Sequence, residues 1–397
     1  MSSISLKALA GIALFAALAF TVQVPVHASG ITTITLNDPN AATGAGQGTL
    51  GIGINPLGVV VGFYYAAGNV RHGFVTKPPY TTFTEIDAPG AGTGNDQGTI
   101  VYGVNQEGAI TGLVTDSNYV THGFESNPPY TTITTFNAPG AGDLNLTCPI
   151  SNSNYYIFQG TVGESIDLTG TIAGSYTDSS CVQHGFVTKP PYTTFTDINV
   201  SGAGDSFVPN VGYLEGTIVD YFTGINQLGV VSGTYVDSSG DAHGFVRATN
   251  GTITPINVST AASGSGLGTS VASINLAGSV AGYYAINSAG ALGGFVRTPN
   301  GSISEFSVTG GGTGEDQGTV VSNINLEGTI TGYYIDSNYI SYGYVRGPLG
   351  SITQFTAPGA GTGANQGTFP SSNDPVGGIT GNYVDGSGVN HGFVTKL

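Results

Sequence analysis

Short runs of alternating apolar and polar residues, separated by turns rich in Gly, Asn and Pro, follow one another along most of the chain. In the stretch Gly98–Phe124, the runs Gly98–Asn105 and Gly108–Val114 are rich in β-branched and aromatic residues, and a third run begins at His122. Runs of this composition, about 5–8 residues long, predict β-strands. Beyond the N-terminal segment no stretch keeps a 3.6-residue apolar period, so we expect almost no helix.

The same pattern recurs seven times, and a His-Gly-Phe triplet marks most copies. The triplets begin at His72, His122, His184, His243 and His391, and two degenerate copies begin at Gly293 and Tyr342. Successive intervals are 50, 62, 59, 50, 49 and 49 residues. A period near 50 predicts a repeat architecture in which each unit buries its apolar face against its neighbours.

Connection lengths predict how the four segments of each repeat pair. Tight turns, such as Asn105–Gly108 and the one at Asn250-Gly251, join segments within a unit, and only the Gly-rich segment, such as Pro89–Gln97, is regularly long enough to cross to the next unit. The fold class expected is therefore all-β, a seven-bladed β-propeller with four strands per blade. Because the chain beyond a predicted N-terminal signal segment opens on a fourth strand (Ile31–Leu36) and ends on a third (His391–Lys396), that first strand is expected to complete the last blade and close the ring. The alternative is an open solenoid of the same units.

Residues 1–28 have the pattern of a secretory signal peptide. Lys7 supplies a positive charge, and the apolar run Ala8–Phe20 that follows is short for a membrane anchor. Cleavage would leave residues 29–397, which we expect to form a single propeller domain without a membrane span. The predicted location is extracellular or periplasmic.

The composition is glycine-rich and acidic. The chain has 65 Gly and a net charge of −16, which disfavours nucleic acid and anionic membranes as partners. Six cations follow the triplet position: Lys77, Lys189, Arg247, Arg297, Arg346 and Lys396. Acids cluster at the opposite strand ends: Asp116, Asp178, Asp237, Asp336 and Asp385, with Asp96, Glu315 and Asp316 in the crossing loops. This segregation predicts a weakly basic face and an acidic face, although solvated turn residues explain the same pattern.

The repeat is most irregular in its third and fourth copies. The only two cysteines, Cys148 and Cys181, both belong to the third, and the topology puts their loops on one face. In an exported protein such a pair predicts a disulfide rather than two free thiols.

The motifs Gly-Ile-Asn, Gly-x-Ile-x-Gly-x-Tyr and His-Gly-Phe together resemble the HAF family of extracellular repeat proteins, which is named for a His-Ala-Phe triplet. The resemblance covers essentially the whole mature chain. It departs in having Gly where the family has Ala, in lacking Trp and in its longer period. It implies a secreted bacterial repeat protein with a propeller-like fold, and it implies no activity.

Two sets of repeated polar positions are candidates for chemistry. The histidines stand on separate blades and cannot converge on one site, so we interpret them as structural residues packed between blades and bonded to a neighbouring loop. The innermost strands end in Asn or Asp, which suits either a tight turn or a hard cation such as calcium at the channel mouth. These seven positions are Asn55, Asn105, Asp167, Asn226, Asn275, Asn325 and Asp374.

A specific site is expected where the repeats are irregular. Tyrosines and carboxylates gathered there suit sugar binding. The candidates are Asp143, Asn145, Tyr155, Tyr156, Glu164, Asp167, Glu215, Asp220 and Tyr221. The leading hypothesis is a monomeric, non-catalytic binding module for a glycan, a cell-surface component or an extracellular protein. The alternatives are a carboxylate-dependent glycosidase or lyase acting on an extracellular polymer, and a structural envelope or matrix protein.

Overall fold

The computed structural model describes residues 32–143, 147–149, 156–206, 215–220 and 223–396, so the predicted signal peptide lies outside the described residues. Over these residues the chain is all-β apart from one short 3-10 turn, Ala67–Asn69, which confirms the expectation of almost no helix. Of thirty strands, 28 belong to one hydrogen-bonded sheet. Within the described residues no helix has the length and apolar character needed to cross a bilayer.

Four strands make up each repeat. The first strands are β2 (Gly48–Ile54), β6 (Gly98–Val104), β12 (Gly160–Ile166), β16 (Gly216–Val219), β20 (Thr269–Ile274), β24 (Gly318–Ile324) and β28 (Gly367–Asn373). The second strands are β3 (Val60–Tyr65), β7 (Ile110–Thr115), β13 (Ile172–Thr177), β17 (Val231–Val236), β21 (Val280–Ala285), β25 (Ile330–Ile335) and β29 (Gly378–Val384).

The third strands carry the triplet and the fourth strands are short. The third strands are β4 (Arg71–Thr76), β8 (Thr121–Ser126), β14 (Gln183–Thr188), β18 (Ala242–Arg247), β22 (Leu292–Arg297), β26 (Ser341–Arg346) and β30 (Asn390–Lys396). The fourth strands are β5 (Phe83–Ile86), β9 (Ile133–Phe136), β15 (Phe195–Ile198), β19 (Ile253–Ile256), β23 (Ile303–Phe306), β27 (Ile352–Phe355) and, in the last repeat, β1 (Thr32–Leu36).

Within each repeat the strands pair antiparallel in the order first, second, third, fourth, as the connection lengths predict. In the last repeat β1 pairs with β30, with Thr32 opposite Lys396 and Leu36 opposite Gly392. One parallel bridge, such as Arg71 to Gly98, joins a third strand to the first strand of the next repeat. First strands of neighbouring repeats also contact one another, among them β2 with β6 and β2 with β28.

The core lies between the sheets of adjacent repeats. In one cluster Val61 and Val75 of the first repeat pack against Val101 and Phe124 of the second. The aromatic residue of the triplet is fully buried in every repeat, at Phe74, Phe124, Phe186, Phe245, Phe295, Tyr344 and Phe393. Because an unpaired sheet could not cover these aromatic rings, each repeat depends on its neighbours for its core.

A Gly-Thr pair begins most first strands for steric and hydrogen-bonding reasons. Gly98 has a φ of +111°, and a Cβ there would lie 2.0 Å from the carbonyl oxygen of Arg71. The hydroxyl of Thr99 accepts a hydrogen bond from the backbone N–H of Ala88, 3.0 Å away in the crossing loop. The corresponding threonine makes this contact in all seven repeats.

Cys148 and Cys181 form a disulfide, as the sequence predicts. Cys148 lies in β10 (Thr147–Pro149), which pairs with β11 (Tyr156–Phe158) in the expanded crossing of the third repeat. Cys181 lies in the turn between β13 and β14. The bond therefore ties the expanded crossing to its own repeat, and it is consistent with an oxidising compartment.

Candidate functional site

The antiparallel order gives every repeat two kinds of strand end. The turns between first and second strands and between third and fourth strands lie at one end, which we name the turn face. The hydroxyl of Tyr192, in a third-to-fourth turn, donates to the carbonyl of Gly170, in a first-to-second turn, at 3.1 Å. The second-to-third turns and the crossing loops lie at the other end, which we name the loop face.

The triplet histidines form hydrogen bonds with loop-face residues of their own repeats. Nε2 of His184 lies 3.3 Å from Oδ2 of Asp178, Nδ1 lies 3.0 Å from Oδ1 of Asn199, and the imidazole stacks on Tyr176 at 4.8 Å. The same partners recur for His122 with Asp116 and Asn137, for His243 with Asp237 and Asn257, and for His391 with Asp385 and Asn37. These contacts support the structural interpretation, and the loops that the imidazoles contact belong to the histidine's own repeat.

The first repeat departs from this arrangement. Ala66 stands where the other histidine-bearing repeats have the loop-face aspartate, and Asp87 stands where they have asparagine. Nδ1 of His72 lies 2.9 Å from Oδ1 of Asp87 and 3.9 Å from Oε1 of Glu85. Donor atoms of these three side chains all lie within 4.8 Å of one another. In the first repeat the carboxylate that contacts the imidazole therefore lies at the outer edge of the sheet, whereas in the other histidine-bearing repeats it lies on the inner side.

These carboxylates border a groove of about 360 Å³ between the fourth strands of the first two repeats. Glu85, Asp87 and Pro89 line one side, and Tyr130 and Ile133 line the other. The Glu85 and Asp87 side chains are 45 % and 43 % exposed, so a solute can reach both. The groove therefore places two accessible carboxylates opposite an aromatic side chain.

Neighbouring contacts fix the geometry and charge of the groove. The hydroxyl of Tyr64 donates to Oε2 of Glu85 at 2.7 Å, and this hydrogen bond holds the pKa of Glu85 below its ordinary value. Partial burial raises the pKa of Asp87. The hydroxyl of Tyr130 donates to the carbonyl of Gly108 at 2.8 Å, which orients the tyrosine. At neutral pH the groove therefore presents negative charge beside an aromatic group held in place.

Sequence reasoning did not single out this groove. The triplet pattern makes His72 equivalent to the histidines of the other repeats, and nothing in the local sequence marks Glu85. The signal available was the pair of exchanges in one repeat, Ala66 for aspartate and Asp87 for asparagine. Their meaning depends on pairing between β3, β4 and β5, which brings all three strands to one imidazole.

At the seven Asn and Asp positions of the innermost turns, hydrogen bonds link one repeat to the next. Each asparagine uses Oδ1 to accept backbone N–H groups of its own turn, as Asn105 does from Glu107 and Ala109. Its Nδ2 donates to the backbone carbonyl at the same position of the next repeat. These links are Asn55 to Asn105, Asn105 to Asp167, Asn226 to Asn275, Asn275 to Asn325 and Asn325 to Asp374, each 2.9 or 3.0 Å long.

This belt of hydrogen bonds supports the turn interpretation of those positions. Asp167 and Asp374 carry no amide donor, so the series is interrupted after each of them. At the first interruption the side chain of Gln227 accepts from the N–H of Leu168 at 2.7 Å. A cation at these positions would have to coexist with five amide donors, and calcium here stays a prediction.

Glu164 and Asp220 are the two candidates that the structure brings into electrostatic contact. They are 1 % and 6 % exposed. The hydroxyl of Ser175 donates to Glu164 at 3.2 Å, and the hydroxyl of Ser232 donates to Asp220 at 2.8 Å. Burial raises the pKa of both carboxyls well above the ordinary value, and the charge of Asp220 adds to the effect on Glu164. They form a buried acid pair that surface ligands do not reach.

The other candidates of the irregular repeats do not join that pair. Asp143 is exposed in a crossing loop, and Asp167 is buried in its turn, where Oδ1 accepts from the N–H groups of Thr169 and Thr171. Glu215 is buried, with Oε2 3.2 Å from the N–H of Ser206. Asn145, Tyr155 and Tyr221, and the side chain of Tyr156, lie outside the described residues.

No protein-family model matches the chain, and no curated protein sequence matches it. Among solved structures, the BP39L lectin from Burkholderia pseudomallei aligns with a TM-score of 0.48 at 9 % identity, over 81 % of this chain and 97 % of the lectin. The lectin of Aleuria aurantia, described as a six-bladed beta-propeller with a novel fucose recognition mode, aligns with a TM-score of 0.39 at 12 % identity, over 80 % and 96 %.

TolB from Acinetobacter baumannii aligns with a TM-score of 0.41 at 8 % identity, over 92 % of this chain and 80 % of TolB. With TM-scores below 0.5 and such low identities, these likenesses do not bear on the ligand or the activity of this chain.

Proposed function

We propose that the chain is an exported, non-catalytic glycan-binding protein whose site is the groove between the first and second repeats. The observation that carries the proposal is the position of Glu85 and Asp87 across the groove from Tyr130. Carboxylates accept hydrogen bonds from neighbouring sugar hydroxyls, and an aromatic side chain packs against the apolar face of a sugar. Three clustered donors are fewer than calcium usually takes, so hydroxyl groups suit the groove better than a bare cation.

The architecture proposed with this function is a seven-bladed propeller in a single domain, closed by the pairing of β1 with β30. Export through a signal peptide at residues 1–28 and membership in the HAF family belong to the same proposal. The disulfide supports export, because such bonds persist in oxidising compartments.

The test is a glycan panel screened by thermal shift, followed by calorimetry on any sugar that binds. Asp87→Asn gives the first repeat the asparagine found in other repeats and removes one groove carboxylate. It is expected to weaken binding of the selected sugar at least tenfold, since a lost charge-assisted hydrogen bond is worth about 1.5–3 kcal/mol. The control is Glu305→Gln, which also removes one carboxylate but outside the groove. Glu305 occupies the position of Glu85 in the fifth repeat and accepts the same tyrosine hydrogen bond, from Tyr284 at 2.8 Å.

Equal losses in Asp87→Asn and Glu305→Gln would show that the groove is not the site. A panel in which no sugar shifts the melting temperature would contradict glycan binding itself. If a sugar binds and is also cleaved, the protein is an enzyme and the non-catalytic part of the proposal is wrong.

An enzymatic role gains less support from the geometry. Glu164 and Asp220 have the raised pKa values that a general acid requires, but neither is more than 6 % exposed. At this degree of burial neither carboxyl is accessible to a polymeric substrate in the structure. Retention of any polymer-cleaving activity in Glu164→Gln and Asp220→Asn would exclude the pair as its catalytic groups.

A further inference from the structure

Apolar side chains protrude from the innermost turns of the turn face. We name this set the apolar crown. Its members, from five repeats, are Leu57 (69 % exposed), Leu168 (39 %), Leu228 (64 %), Leu326 (45 %) and Val376 (59 %). Each lies in the two-residue tip between a first and a second strand, a position that a soluble turn usually fills with polar residues. Repeated exposure of large apolar groups at one end of a molecule marks an interaction surface.

Cations surround the crown on the same face. They stand at the ends of the third strands or just beyond them. Lys77 and Lys189 are exposed, and Arg247, Arg297 and Arg346 are half-buried. Lys396 occupies the matching position of the last repeat. These are six of the eight Lys and Arg residues of a chain whose net charge is −16. Exposed carboxylates in the innermost turns of the face are Glu107 and Glu327, whereas Asp167 and Asp374 there are buried. The turn face is therefore cationic although the protein is strongly acidic.

We propose that the turn face docks on the surface of an anionic phospholipid bilayer. The leucine tips would enter the boundary between headgroups and acyl chains, while the surrounding Lys and Arg side chains contact lipid phosphates. The net charge of the chain would disfavour this partner, but the charge that a membrane meets is that of the nearest face, within about a Debye length of 8–10 Å. The glycan groove lies along the outer strands and reaches the turn face only at Tyr130 and Thr131, outside the apolar crown.

An apolar groove on the turn face favours a lipid over a protein partner. It measures about 640 Å³ and opens between Leu57 and Val376, with Ile34, Pro78 and Tyr80 among its lining residues. A groove of this lining suits an acyl chain. The crown residues are separate tips on different repeats, which a fluid apolar medium accommodates without five matching pockets on a partner.

The test is co-sedimentation of the exported protein with vesicles of phosphatidylglycerol and phosphatidylcholine in equal amounts, beside vesicles of phosphatidylcholine alone. We expect binding to the anionic vesicles, weakened by salt, and little binding to the neutral ones. Lys77→Gln and Lys189→Gln should each weaken binding about fivefold, the change that corresponds to about 1 kcal/mol per cation. Leu228→Asp should weaken it more, because it places a charge at the point of insertion.

Matched controls lie on the loop face. Asn365→Asp adds the same unit of negative charge as Lys77→Gln, and Ile286→Asp makes the same kind of exchange as Leu228→Asp at a residue that is 44 % exposed. Both controls should bind vesicles like the unaltered protein, and unchanged melting temperatures would show that all variants fold. Absence of binding to anionic vesicles would overturn the proposal. Equal effects of the turn-face and loop-face variants would overturn it as well, as would capture by an acidic protein but not by vesicles.

Discussion

The side-chain amide of Asn275 donates a hydrogen bond to the backbone carbonyl of Asn325, 3.0 Å away in the next repeat. The same side chain accepts from the N–H of Ser279 through Oδ1, so one residue both closes its turn and binds its neighbour. A sequence made of turns that each need Asn or Asp thereby also supplies lateral links between repeats.

Asn275→Asp should lower the free energy of unfolding by about 1–3 kcal/mol, because the variant keeps the turn acceptor but loses a buried donor. Asn275 is 5 % exposed, so the new carboxylate would also face the carbonyl of Asn325 without water. Denaturant unfolding at neutral pH measures the difference. Asn250→Asp is the control, since Asn250 is exposed and its Oδ1 accepts from the N–H of Thr252. Equal losses in the two variants would contradict a role for the belt.

The buried acid pair should make stability depend on pH. Because burial raises the folded-state pKa of Glu164 and Asp220, the folded protein holds more protons than the unfolded chain above the ordinary carboxyl value of about 4. Unfolding free energy contributed by the pair should therefore fall as pH rises from that value through the raised pKa values.

Glu164→Gln and Asp220→Asn remove this dependence while keeping an acceptor for the serine hydroxyl. Melting curves should show each variant more stable than the parent at about pH 8, with the advantage shrinking toward about pH 4. Asp197→Asn, at an exposed position, is the control and should not flatten the profile. A parent profile that rises steadily with pH, left unchanged by both substitutions, would contradict the prediction.

Glu215 occupies the position that most repeats give to glutamine. In the second repeat Oε1 of Gln97 accepts from the N–H of Gly94 at 2.8 Å, and Nε2 donates to the carbonyl of Ser117 at 3.2 Å. Among the described residues, Oε1 of Glu215 is buried without a hydrogen-bond partner.

Glu215→Gln should raise the free energy of unfolding by about 1 kcal/mol or more. The substitution replaces the unpaired carboxylate oxygen with an amide N–H that can donate to a loop carbonyl, as Nε2 of Gln97 does, and it removes a buried charge. The reverse exchange, Gln97→Glu, should lower it. Thermal unfolding of both variants tests the pair together, and a loss of stability in Glu215→Gln would show that the carboxylate is needed at this position.

The disulfide should contribute about 3.5–4 kcal/mol, since it closes a loop of 33 residues. Replacing both cysteines with alanine is expected to lower the unfolding free energy by that amount. The expanded crossing should also become the first site of limited proteolysis, because Cys181 anchors it to the turn between β13 and β14. If cutting first occurs elsewhere and stability is unchanged, the crossing is held by other contacts.

Most of the fold could be predicted from local sequence patterns. Turn chemistry and the spacing from Gly98 to His122 predict both the strands and their order, because a short connection leaves the chain no other neighbour. The disulfide also followed, since only two cysteines exist.

The burial of the Glu164 side chain could not be predicted from the sequence. The pairing of β12 with β13 shifts register between Gly163 and Ser165, which makes Glu164 the extra residue of a β-bulge. Simple alternation does not tell which way such a residue points. The groove beside Glu85 could not be predicted for a related reason, because it depends on which strands flank His72 and not on any local motif.

The belt of asparagine amides has a direction and two gaps. It runs from Asn55 to Asp167, stops, and runs again from Asn226 to Asp374. In mechanical terms the amide links join the repeats into two stiffer arcs, of three and four units. The Gln227 side chain bridges the gap between the two arcs, and β1 and β30 bring the described chain ends together within the last repeat. Tension applied to those ends would therefore act on the β1–β30 ladder, where Thr32 lies opposite Lys396, and should unzip it pair by pair before either arc comes apart.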